Sequence, residues 1–88
     1  MVRQPLTAAQ LAAGKRLGRL LRAARADRPL DEVARAAGIS PETLRKIETG
    51  RLPTPAFGAV VQLAATLCLD LNDVAAVWQQ ETKIGAAS

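Results

Sequence analysis

A helix stop and a helix restart stand almost back to back in this chain, Gly38 against Ser40-Pro41. Glycine supplies the left-handed backbone by which a chain leaves a helix. Serine at the N-cap and proline at the first helical position open the next one. Before the stop, Val33, Ala34 and Ala37 form the apolar stripe of a short helix over about 30–37. After the restart, Leu44 and Ile47 make an inward pair three apart on a helix that begins at Pro41 and ends at Gly50. A connection this short cannot lay two helices antiparallel, so the pair must cross steeply.

The punctuation elsewhere predicts three more helices. Thr7 with Gln10 gives a capping box for a long first helix over about 8–26, where Leu11, Leu17, Leu20, Leu21 and Ala24 alternate with Lys15, Arg16, Arg19 and Arg22. Gly14 and Gly18 are expected to soften it. Arg28-Pro29 ends that stretch, because proline disfavours helix in the residue before it. After a loop over 51–55, Thr54 is expected to cap and Pro55 to open a fourth helix reaching about Leu67. Its inward face would carry Phe57, Val60, Val61, Ala64, Leu67 and Cys68. Asp70 caps a last helix, with Asp73 in its first turn and Leu71, Val74 and Trp78 on one side. Residues 1–6 and 82–88 read as flexible tails around one domain over 7–81, and no strand pattern appears.

Phe57 and Trp78 are the only aromatics, so Ala, Leu and Val must build the core, which favours closely packed helices and an all-α bundle. Histidine is absent and Cys68 is the single cysteine. That removes His/Cys metal sites, imidazole acid/base chemistry and an internal disulfide, and no metal or cofactor is expected. Cys68, on the apolar stripe, is expected to be a buried small hydrophobe rather than a redox sensor. The acidic clusters, Asp31-Glu32 and Asp70/Asp73, sit at helix starts where the dipole favours acids anyway. An enzyme is the weakest reading, and no catalytic residue is assigned. No apolar run approaches the ~20 residues of a membrane span, and a cytoplasmic location is expected.

Charge is unevenly placed. Residues 15–51 hold ten basic and five acidic side chains, whereas 52–88 hold one and three. A basic half of this kind suits a polyanion, most simply double-stranded DNA.

Counting from Leu30 as the first position, a small residue stands fifth (Ala34), a turn glycine ninth (Gly38), and apolar anchors fifteenth and eighteenth (Leu44, Ile47). With this spacing residues 30–49 form a helix-turn-helix, and the chain resembles the XRE family of phage-repressor and Cro-like DNA-binding domains. The resemblance runs over residues 17–74, from the Leu17-to-Arg25 segment through the Ile47-Glu48-x-Gly50-Arg51 signature to Val74. It implies a compact five-helix bundle of the lambda-repressor-like type, here with an N-terminally extended first helix, in a bacterial or phage protein. Three features depart from the pattern. The turn after Arg25 is shorter than usual; Pro29-Leu30 replaces a Thr-Gln whose Gln contacts phosphate; and the third helix opens on Pro41-Glu42 rather than a Gln-rich run.

In that family geometry the third helix enters the major groove. Pro41, Glu42, Thr43, Arg45 and Lys46 then face the bases: Arg45 or Lys46 toward guanine O6 and N7, Glu42 toward cytosine N4, Pro41 or the Thr43 methyl toward a thymine methyl. The plainer alternative is a solvated charged face. Ser40, Thr49 and Arg51 occupy places of phosphate contact, and Lys15, Arg16, Arg19 and Arg22 could reach the backbone from the first helix. By resemblance, Glu48 should pair with Arg25 and hold the third helix in place. Trp78 either caps the core of the single chain or joins Leu71, Val74 and Val77 at a dimer contact, and the dimer is preferred, since two-fold pairing on a palindrome adds specificity and affinity. The expected function is a sequence-specific transcriptional regulator, most simply a repressor, acting as a homodimer. The alternatives are an antitoxin that also holds a protein partner, and an interaction adapter that has lost DNA reading.

Overall fold

The computed structural model describes residues 5–80, which form five helices: α1 (Ala8–Arg25), α2 (Leu30–Ala37), α3 (Pro41–Glu48), α4 (Phe57–Thr66) and α5 (Leu71–Gln79). Of the expected tails, residues 1–4 and 82–88 lie outside the described residues.

Most helix ends follow local chemistry. At α1 the Gln10 N–H donates to Thr7 Oγ1 at 3.0 Å and the Thr7 N–H to Gln10 Oε1 at 2.8 Å, closing a capping box. At α3 the Thr43 N–H donates to Ser40 Oγ at 3.1 Å, with Pro41 in the first turn. At α5 the Asn72 N–H donates to Asp70 Oδ1 at 2.8 Å. Gly38, at φ +78°, turns the chain out of α2 so that Ile39 N–H reaches back to the Ala34 carbonyl at 3.0 Å. α3 ends two residues earlier than the sequence suggests: its last residue is Glu48, and Gly50 lies beyond the Thr49 cap.

The fourth helix begins later than expected, at Phe57 with Ala56 as a cap that offers no side-chain acceptor. Thr54 and Pro55 therefore stay in the loop, although the same Ser/Thr-Pro pattern opens α3 at Ser40-Pro41. Pro53 is instead buried, and residues 52–53 are tied down: Leu52 N–H donates to the Lys46 carbonyl at 3.0 Å, and Pro53 packs on Gly14 of α1. The inward stripe is Val60, Leu63, Ala64 and Leu67, and Phe57 at the first helical position is 73% exposed.

Cys68, expected in the core, is exposed. It sits at φ +59°, one residue past the α4 cap, where Leu69 N–H reaches the Ala64 carbonyl at 2.8 Å. This is the position glycine normally fills after a helix. Cys68→Gly should relieve about 1–2 kcal/mol of left-handed strain against about 0.4–1 kcal/mol of added unfolded-chain entropy. The expected outcome is a melting temperature higher by several degrees in a thermal scan; a lower one would contradict the assignment.

Leu21, Val33, Leu44, Ile47 and Leu63 are the largest fully buried side chains, drawn from four helices. They join α2 and α3 to α1 and α4, and α5 packs chiefly along α1 and only lightly on α4. Gly14 and Gly18 do not soften α1, which runs unbroken through both. They are instead the places where other backbone comes closest. A Cβ at Gly18 would strike the Ile47 carbonyl and lie 2.7 Å from that of Glu48, and one at Gly14 would lie 2.5 Å from Pro53.

Candidate nucleic-acid interface

α3 is anchored on one side only. Leu44 and Ile47 are fully buried against the core, while Pro41, Glu42 and Arg45 are exposed and Thr43 and Lys46 half-buried. These five base-reading candidates therefore occupy the outer side of one short helix. Thr43 is partly engaged, since its hydroxyl accepts from Ser40 Oγ at 2.8 Å. Glu42 and Lys46 form an i,i+4 pair at 3.8 Å. An exposed pair of that kind is worth about 0.3–0.5 kcal/mol, so both groups can turn to another partner at little cost. Arg45 makes no side-chain hydrogen bond or ion pair among the described residues.

The other end of α3 is tied to α1. Arg25 Nε donates to Glu48 Oε2 at 2.7 Å and Nη2 to Oε1 at 3.0 Å, a two-pronged pair with side chains 12% and 7% exposed. Arg25 Nη1 also donates to the Arg28 carbonyl at 2.7 Å, which holds the turn after α1. Hydrogen bonding to Glu48 raises the Arg25 pKa above its ordinary value; the Glu48 charge adds to this and partial burial opposes it. A raised folded-state value means the guanidinium's contribution holds through neutral pH and is lost only as strong alkali deprotonates it.

The phosphate candidates divide into two groups. Ser40 and Thr49 are exposed, but their hydroxyls serve α3 itself: Ser40 caps it, and Thr49 Oγ1 donates to the Arg45 carbonyl at 3.0 Å. Arg51 and Arg19 are exposed and make no side-chain bond among the described residues. Arg22 is exposed and donates only to the neighbouring Ala26 carbonyl at 3.2 Å. Lys15 lies against Gly50, which brings the exposed side of α1 beside the end of α3.

Two arginines have structural work instead. Arg16 donates from Nε and Nη2 to the Val77 and Trp78 carbonyls, both at 2.9 Å, and Arg28 Nη1 donates to the Thr66 carbonyl at 3.1 Å. The signal was present in the sequence. Neither α4 nor α5 has a basic residue in its last turn, so their free carbonyls need donors from elsewhere.

The expected dimer set is split by the fold. Val74 is buried in the core of the single chain, Val77 and Trp78 are half-buried, and only Leu71 is exposed. Val74 therefore cannot offer area to a partner, and Trp78 spends much of its surface on its own core. No helix among the described residues is long and apolar enough to cross a membrane.

A family model described as a helix-turn-helix domain matches residues 16–77, and no curated protein matches the chain. That match takes in the crossed α2–α3 pair, the exposed side of α3, and most of the helices that hold it. The chain belongs to the helix-turn-helix domain family, of the XRE and Cro-like kind.

Proposed function

We propose that this protein is a sequence-specific transcriptional regulator, a repressor in its simplest form, that inserts α3 into the major groove as a dimer on a palindromic operator. The observation that carries the reading is the one-sided burial of α3: Leu44 and Ile47 lock it to the core, and Pro41, Glu42 and Arg45 project from it unburied. Arg45 and Lys46 have the chemistry to read guanine, and Glu42 to accept from cytosine. Arg51, Arg19 and Arg22 supply charge for the phosphates, three cations per protomer and six per dimer. The reading includes no catalytic step and a cytoplasmic, bacterial or phage setting.

The test is selection of sites from a random duplex library at physiological salt with competitor DNA. An inverted repeat with half-sites about one helical turn, ~34 Å, apart is the expected product. On that site, six phosphate contacts should cost about 10³-fold in affinity between 50 and 200 mM salt, and Arg45→Ala about 1–3 kcal/mol at one base position. A second reading, the adapter or antitoxin with a protein partner, is favoured by the apolar surface around Phe57 and Leu71, both exposed. It would gain if no sequence were enriched.

A further inference from the structure

The segment that leaves α3 is pinned to α1 at both ends. Gly50, at φ +83°, lies against Lys15, where a Cβ would come 2.8 Å from Lys15 Cγ and 3.6 Å from its Cα. Leu52 N–H donates to the Lys46 carbonyl at 3.0 Å, and Pro53 is buried against Gly14, the residue before Lys15 on α1. Between these anchors stands Arg51, exposed and without a side-chain hydrogen bond or ion pair among the described residues. No carboxylate neutralises it. Glu48, the nearest acid in sequence, is engaged through both oxygens by Arg25, and the group that borders the segment from α1 is the cation Lys15. Core packing does not account for Gly14. Gly18 admits α3, which carries the buried Leu44 and Ile47, whereas Gly14 admits a loop of which, over residues 51–55, only Pro53 is buried.

We propose that Gly14 is a positioning residue for DNA binding: by leaving room for Pro53 on α1 it fixes the backbone that carries Arg51, and so presents a pre-set guanidinium to a DNA phosphate at the end of α3. The inference deepens the DNA-binding reading above and rests on it. The physical reason is preorganisation. A loop that must be ordered on binding subtracts from affinity, and here folding has already ordered it, so only the side-chain torsions of Arg51 remain to be set. Guanidinium suits the ligand, because its planar fork takes two phosphate oxygens at once. Such a contact carries no sequence information but sets the register of α3 on the duplex. Alanine at position 14 would place its Cβ 2.5 Å from Pro53 Cα and Cβ and 2.9 Å from the Pro53 carbonyl oxygen. α1 is packed on both α3 and α5. The loop therefore gives way, and Arg51 moves with it.

The experiment titrates a mixed-sequence duplex of about two helical turns, ~20 base pairs, with the wild-type chain, Gly14→Ala, Arg51→Ala and the double variant. Salt runs from about 50 to 200 mM, well below each melting transition. The readout is the slope of log affinity on log salt, since phosphate contacts are independent of sequence. Arg51→Ala should make that slope shallower by about 0.9 per protomer bound. Gly14→Ala should do the same, and the double variant no more than Arg51→Ala alone, because the two changes remove one contact. A residue that only supports the fold would lower the melting temperature and leave the slope as it is. Gly58→Ala, in open space on α4, should keep the wild-type slope. Without DNA, hydrogen exchange should show the Leu52 amide losing protection in Gly14→Ala while the α3 amides keep theirs. If Gly14→Ala does not fold, Pro53→Gly takes its place, removing the buried ring instead of crowding it, with the same result expected. Either single variant matching the wild-type slope overturns the proposal, as does an additive double variant. A wild-type chain without salt-dependent duplex binding sinks it together with the DNA-binding reading. The expected slopes with no sequence enriched in the selection above support the positioning role and sink sequence reading alone.

Discussion

Gly18→Ala is expected to lower the stability of this domain by about 2 kcal/mol, although alanine is the better helix former. In an open helix the change would gain about 1 kcal/mol. Here the added Cβ meets the Ile47 and Glu48 carbonyls. Both are backbone atoms of α3, so no rotamer change can clear the space, and α3 would have to move off α1. Overpacking of this kind costs about 1–3 kcal/mol, occasionally more, and backbone contact belongs at the upper end, so the clash outweighs the propensity. In a domain of this size the melting temperature should fall by roughly 8–16 °C. Gly58→Ala supplies the control, since nothing lies within 4 Å of a Cβ there; that variant should melt at the same temperature or slightly higher. If thermal scans placed the two variants together, close approach of α1 and α3 would not be what Gly18 provides.

Glu48→Ala should cost about 2–3 kcal/mol. Removing one partner of a buried pair costs about 3–5 kcal/mol because the other charge is left without compensation. The Arg25–Glu48 pair keeps slight access to solvent, at 12% and 7%, and Arg25 retains its bond to the Arg28 carbonyl, so the loss is placed lower. Glu48→Gln keeps an acceptor for one of the two guanidinium bonds and should lose less. Because the pair ties the last residue of α3 to α1, the proposed DNA reading adds a second consequence: affinity for the selected operator should fall together with the melting temperature. Calorimetry with titration of the operator well below the transition checks both. An unchanged melting temperature would show that the pair contributes nothing net.

These two predictions rest on contacts of different legibility. The Arg25–Glu48 pairing was available in advance only through resemblance to a family, since 23 residues separate the partners and local pattern does not connect them. The role of Gly18 is not local: within α1 alone a glycine is a weak point, and only the arrival of α3 makes it a requirement. Arg16 is similar, a surface cation by its place in the α1 charge pattern, and a clasp on the end of α5 once the two helices meet.

Local chemistry, by contrast, specified the helix-turn-helix itself. Thr7, Ser40 and Asp70 as caps, Gly38 as the stop and Pro41 as the restart act within three or four residues of themselves, so their effect is present in the bare chain. The buried pair Leu44 and Ile47 follows from helical period, and with it the outward placing of Pro41, Glu42 and Arg45. Where α4 begins was not decided locally. Pro53 is held against Gly14 of α1, α4 starts only at Phe57, and its packing leaves Phe57 in solvent and Leu63 inward, while Cys68 lies past the end of the helix. The division between an aromatic packed on the core and an aromatic left in solvent is therefore a property of the assembled bundle, because helical period gives a helix its stripe but only its neighbours determine how much of that stripe they cover.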